Sequence, residues 1–172
     1  LPLVGIEPAV KPAAQNHRGE KVAVMATPLT LHEEKFKQLV KRYENLATII
    51  PVPCPDLVEY VEKGILEGPE LEGYLKDVLT PCLQEGVKAV VLGCTHFPLV
   101  KAAIGKVVGE SVRIYDGGEG TARQAKCLLA AKNLCTDQEK GHICFESSAP
   151  EKEAYYEALY RKAAHIDSRV KL

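Results

Sequence analysis

The chain has 172 residues, 46% of them apolar and 26% charged, with a formal net charge of −1. That balance belongs to a globular chain with a core, and it excludes charge-driven binding of nucleic acid or a membrane surface. Six scattered cysteines contain no C-x-x-C, so they imply reduced thiols in a cytoplasmic setting rather than a disulfide framework or a metal knuckle.

Taken in order, residues 1–6 form a short apolar run that reads as a strand or a strand's remnant. Glu7-Pro8 breaks it, and Pro12 leaves room for a short helix only. Residues 21–26, KVAVMA, read as a buried strand, and Thr27-Pro28-Leu29-Thr30 follows as a turn. Thr30 is the expected N-cap, with Glu33 closing a capping box. The helix beyond it places Phe36, Leu39, Val40 and Tyr43 on one face. Residues 46–52 read as the next strand, ended by Pro53-Cys54-Pro55. A helix from Asp56 to Lys63 follows and stops at Gly64. On it Leu57, Val58 and Val61 look inward, while Glu59 and Glu62, three apart, lie near one face.

Residues 69–85 read as a helix with Leu71, Leu75, Val78 and Cys82 toward the core, kinked or shortened at Pro81. A fourth run, Ala89 to Leu92, is apolar throughout, as a strand buried on both faces is. A helix to about Val108 and a strand over 112–115 come next. The glycine-rich stretch 116–121 then opens a helix over 122–132. This is not a dinucleotide loop, because Arg123 stands where the third glycine would be. A last strand is expected over 141–146, a last helix over 151–163 and a tail over 165–172. The alternation of strands and helices predicts an α/β fold, a parallel-sheet lobe with flanking helices.

The chemistry concentrates at Gly93-Cys94-Thr95-His96, where the apolar strand ends. In open α/β sheets the crevice beyond the strands' carboxyl ends is where ligands bind. A thiol two residues from an imidazole is a proton-transfer pair in waiting. The same residue types also describe a buried thiol beside a hydrogen-bonded histidine. Cys94-x-His96 with His142-x-Cys144 contains four zinc-ligand types, but only if two distant segments meet.

GCTHFPL, residues 93–99, closely resembles the second cysteine motif of the cofactor-independent glutamate racemases. The stretches IEPAVKPA (6–13), ATPLT (26–30), VPCP (52–55) and DGGEGTA (116–122) agree with it in order. Family members carry an N-terminal lobe with an Asp-Ser-Gly-type motif and a first cysteine followed by Asn-Thr, neither of which is present here. The resemblance therefore implies a C-terminal fragment, one of two similar lobes of the parent enzyme. Residues 1–20 would be the crossover from the other lobe, 21–120 the second α/β lobe, and 121–172 the elements that return to the first.

The resemblance further implies that glutamate is the substrate and that L- and D-glutamate are interconverted by two-cysteine acid/base chemistry, supplying D-glutamate for peptidoglycan. Cys94 would be the second acid/base cysteine. His96 would assist it, with Glu62 behind the histidine. Thr95 and His96 would hold the substrate. Apart from the resemblance, the loop Thr27–Thr30 follows a strand's carboxyl end, where its hydroxyls would meet a substrate carboxylate, with cap and turn as the plainer role of Thr30. No metal, no cofactor and no pyridoxal phosphate are implied, no nucleic acid or membrane is involved, and a homodimer is an open arrangement. Cys54 is expected to be packing. The fragment alone is expected to be inactive. The alternatives are a related activity such as aspartate racemisation, or a non-catalytic α/β binding or metal module.

Overall fold

The computed structural model describes residues 2–136 and 141–169. Four parallel strands, β1 (Lys21–Ala26), β2 (Thr48–Pro53), β3 (Ala89–Leu92) and β4 (Arg113–Tyr115), form one sheet in the order β2-β1-β3-β4. β1 and β3 lie at its centre, which is why they are apolar along their whole length: five of six residues in β1 and all four in β3 are buried. β2 is an edge strand and carries Pro51 and Pro53. Proline has no N–H to offer a further strand, so this edge cannot extend the sheet.

Helices cover both faces of the sheet. α1 (Val10–Asn16) and α3 (Glu34–Tyr43) pack on one face. There Val10, Ala13, Ala14, Phe36 and Leu39 meet Val22, Val24, Ala89 and Val91. The pleat turns the alternate residues, Ala23, Met25, Val90 and Leu92, to the other face. α4 (Leu57–Glu62), α5 (Pro69–Gln84) and α6 (Lys101–Val108) lie on that side. The reason is topological. β1 connects to β2 on one side of itself, and β2 crosses back over β1 to reach β3, so right-handed crossovers put the two connections on opposite faces. The strand order therefore reverses between β1 and β3.

The chain divides into two compact units: Ile6–Gly117, which holds the whole sheet, and a second made of Leu1–Gly5 with Gly118–Leu172. The second contains α7 (Gly118–Ala131) and α8 (Glu153–Arg169). On α8 Leu159 and Ala163 are buried, and the ring of Tyr160 lies 5.5 Å from that of Phe145.

The structure corrects the sequence reading in several places. Residues 2–7 are irregular, not a strand, and so are residues 141–147, where a last strand was expected. An apolar run becomes a strand only when a neighbour completes its hydrogen bonds, and the four-stranded sheet pairs neither segment. The expected tail is helical as far as Arg169. Residues 170–172 of that tail, and Leu1 of the first run, lie outside the described residues. The helix cap falls at Thr27, not Thr30. Pro28 needs no N–H partner and its fixed φ suits a first helical position, so a short helix, α2 (Pro28–His32), starts there. Glu33 then stands between two helices as the N-cap residue of α3 and does not close a capping box. α5 passes through Pro81 to Gln84. Its buried positions are Leu71, Leu75, Leu79 and Cys82, and Val78 is only half-buried.

Candidate functional site

The segments that leave the carboxyl ends of β1 and β3 depart to opposite faces, so they open a crevice between them. Thr27 begins one segment and Cys94 stands in the other. Thr27 is extended, and its Oγ1 accepts the Thr30 backbone N–H at 3.3 Å. The two threonine hydroxyls also bond each other at 3.0 Å. Thr27 and Thr30 therefore form one small hydroxyl pair at the end of β1.

On the β3 side the Cys-Thr-His turn is held at both ends. The Gly93 N–H donates to Met25 O at 2.8 Å, one step past the ladder. Beyond the turn, Phe97 and Val100 are fully buried in a 3-10 turn over Phe97–Val100. The Phe97 N–H donates to Cys94 O at 3.2 Å, and the Leu99 N–H donates to His96 O at 3.0 Å. Two buried side chains and two backbone bonds thus fix three polar residues that would otherwise sit on a loose loop.

Within the turn, Cys94 Sγ lies 3.8 Å from His96 Nδ1, within reach of a sulfur hydrogen bond. The other ring nitrogen, Nε2, lies 2.9 Å from Glu62 Oε1. An ionised carboxylate only accepts, so Nε2 carries the proton of that bond. In the neutral ring Nδ1 is then the acceptor, and its lone pair faces the thiol. The imidazole can take a proton from Sγ and return it, with Glu62 steadying the charge in between. The His96 and Glu62 side chains are 32% and 40% exposed, and Thr95 is exposed, so the relay opens to solvent, where a small molecule could reach it.

Glu62 comes from α4, 34 residues before His96. Leu57 and Val61 are fully buried and seat that helix. At its start the Asp56 N–H donates to Tyr74 Oη of α5 at 3.4 Å, and the rings of Tyr60 and Tyr74 lie 5.2 Å apart. The sequence left Glu59 and Glu62 equivalent by spacing. The structure separates them: Glu59 pairs with Lys63 at 3.2 Å on the exposed face, and Glu62 turns to His96.

Of the cysteines, Cys54 and Cys82 are buried, Cys94 is half-exposed, and Cys127, Cys135 and Cys144 are exposed. Burial first, and the nearby Cys82 second, push the Cys54 thiol up to about 12. It stays a neutral packing group at the end of β2, where its N–H donates to Ala26 O at 2.9 Å. Among the described residues no three His, Cys, Asp or Glu side chains gather as a metal site. Nor, among them, is any helix long and apolar enough to cross a membrane.

Sequence reasoning missed two supports of the site: the approach of Gly93 to the Met25 carbonyl and the Tyr74 contact at the start of α4. A glycine directly before a strand-end cysteine is the signal that bears on the first. The second has no local signal, because Tyr74 and Asp56 are 18 residues apart.

Fold and site together define a parallel α/β protein with a thiol–imidazole pair at the switch point of its sheet. The chain belongs to the Asp/Glu/Hydantoin racemase family, whose profile matches residues 1–125. It is 48% identical over 140 residues to a glutamate racemase of Clostridium kluyveri, a match covering 81% of this chain and 54% of that protein. To a glutamate racemase of Clostridium perfringens it is 43% identical over 153 residues, 88% and 59% of the two chains. Among solved structures it resembles Escherichia coli glutamate racemase in complex with L-glutamate and the activator UDP-MurNAc-Ala. The TM-score there is 0.76 at 30% identity, covering 94% of this chain and 62% of that one. It also resembles the Thermus thermophilus glutamate racemase bound to β-chloro-D-alanine, with a TM-score of 0.63 at 29% identity, covering 89% and 56%. The chain thus spans a little over half the length of the curated relatives it matches.

Proposed function

We propose that this chain is part of a glutamate racemase, with Cys94 as one of its two acid/base groups. The observation that carries the reading is the relay Cys94–His96–Glu62 at the switch-point crevice, with Sγ to Nδ1 at 3.8 Å and Nε2 to Oε1 at 2.9 Å. Inversion at the α-carbon of glutamate removes a proton from one face and returns one to the other. The Cys94 thiolate takes or the thiol gives the proton on its face, and the imidazole keeps account of it. The hydroxyls of Thr95, Thr27 and Thr30 receive the substrate's carboxylate. The chemistry needs acid/base groups only and no cofactor. Its product, D-glutamate, would supply peptidoglycan synthesis, with the protein acting in the cytoplasm.

A single thiol reaches a single face, so the 172 residues alone are proposed not to turn over. The test is a racemisation assay on the full-length protein and on this chain, following D-glutamate formed from L-glutamate, with solution mass measured alongside. The full-length protein should be active and lose activity in both directions with Cys94→Ala. Retained turnover in that variant would refute the assignment of Cys94. Turnover by this chain as a monomer would refute the two-group mechanism, and turnover only in a dimer would point to one Cys94 from each copy.

A further inference from the structure

We infer that Gly93 is a positioning residue that sets the width of the crevice between the ends of β1 and β3, and with it the place of Cys94 relative to Thr27. Its catalytic consequence rests on the racemase reading; its geometry does not.

Two consecutive carbonyls at the end of β1 hold both neighbouring segments. Met25 O accepts the Gly93 N–H at 2.8 Å, and Ala26 O accepts the Cys54 N–H at 2.9 Å. The segments bearing Cys94, Thr27 and Cys54 therefore leave the sheet from one knot of backbone. A Cβ at Gly93 would stand 2.7 Å from Met25 O, 3.3 Å from Ala26 Cβ and 3.4 Å from Val24 Cγ1. Side chains can turn aside from such a contact, but a carbonyl fixed in a ladder cannot. Gly93 is also not among the glycines with positive φ, so space and not torsion requires glycine here.

A methyl group at this position must drive the ends of β1 and β3 apart. The turn beyond has no slack to absorb the movement, because Phe97 and Val100 are buried and the Phe97 N–H is bonded to Cys94 O. The displacement falls on Cys94, Thr95 and His96. Proton transfer is sensitive to such shifts, and a misplacement of about 1 Å can cost about 10²-fold in rate.

In the full-length protein, Gly93→Ala should lower kcat for glutamate racemisation by about 10²-fold, with KM changed far less. Adding Ala26→Gly should restore nothing, since the obstacle is the Met25 carbonyl. Recovery in the double variant would overturn the inference in favour of side-chain packing, and so would an unchanged kcat in Gly93→Ala. In this chain, iodoacetamide alkylation of Cys94, read on the tryptic peptide AVVLGCTHFPLVK, should rise several-fold in Gly93→Ala as the crevice opens. That of Cys127, read on CLLAAK, should not change. Equal Cys94 rates in the two chains overturn the inference. Should Gly93→Ala fail to fold, hydrogen exchange in the unaltered chain decides. The Gly93 amide should exchange as slowly as that of Val91, and exchange as fast as that of Thr95 overturns the inference. Alkylation and exchange do not depend on turnover. A full-length protein that leaves glutamate unchanged therefore refutes the racemase reading alone.

Discussion

In the proposed relay, His96 is the residue through which Cys94 and Glu62 act. Its Nε2 bond to Glu62 decides which nitrogen faces Cys94, and removing the ring leaves the thiol without a proton partner. His96→Ala should lower racemisation by about 10²–10⁴-fold, the usual weight of a general acid/base. L- and D-glutamate have equal free energy, so kcat/KM must fall equally in both directions. The asymmetry should appear in the primary isotope effect with α-deuterated substrate, which should grow more for the enantiomer whose proton Cys94 removes. An isotope effect that grows equally for both enantiomers would remove the pairing of His96 with Cys94. The geometry behind these proposed roles was partly legible in the sequence. Cys-x-His at a strand end advertises a proton relay, but Glu62 and Glu59 are alike in type and spacing. Only the seating of α4 by Leu57 and Val61 turns Glu62 to His96 and leaves Glu59 to Lys63.

At the level of elements, the site rests on a few buried anchors at the ends of strands and short helices. Phe97 is fully buried directly after His96. Phe97→Ala should cost about 3–5 kcal/mol in urea unfolding of this chain, because the cavity left behind collapses only in part. Gly117 ends the first unit with a close approach of its own, as a Cβ there would lie 2.8 Å from Glu7 O and 3.0 Å from Ile6 Cγ1. Gly117→Ala should cost about 1–3 kcal/mol, the range for forcing a methylene into a packed place. Unfolding midpoints equal to that of the unaltered chain would show that residues 6–7 yield freely. The elements legible in advance were those with their own period, run or stop residues: all four strands of the sheet and the helices α3 to α6. The expected strand over 141–146 failed because its residues permit a strand but no partner completes one.

Over the whole molecule, buried ionisable groups make stability fall at alkaline pH. Burial raises Cys54 from 9.0 to about 12 and Tyr74 from 10.0 to about 12, and it raises Cys82 as well. In each case the folded state keeps the proton longer than the unfolded chain does. The stability is therefore whole below the ordinary values and is lost as pH rises from about 9 toward about 12. Cys54→Ala should lessen this loss, and thermal unfolding followed across that window measures it. An identical slope in the variant would show that the Cys54 thiol does not stay neutral through burial.

By itself, the sequence determined the alternation of strands and helices, the two central strands and the strand-end Cys94-Thr95-His96, because apolar runs, helical periods and glycine or proline stops act over a few neighbouring residues. The helix cap at Thr27, the contact that turns Glu62 rather than Glu59 to His96 (residue type and spacing left the two alike, and only the resemblance pointed to Glu62), the space requirement at Gly93 and the loss of two expected strands rest on the tertiary structure. Each of these depends on what stands opposite: a carbonyl of β1, a histidine 34 residues away, or a neighbouring strand that is or is not there to complete the hydrogen bonds.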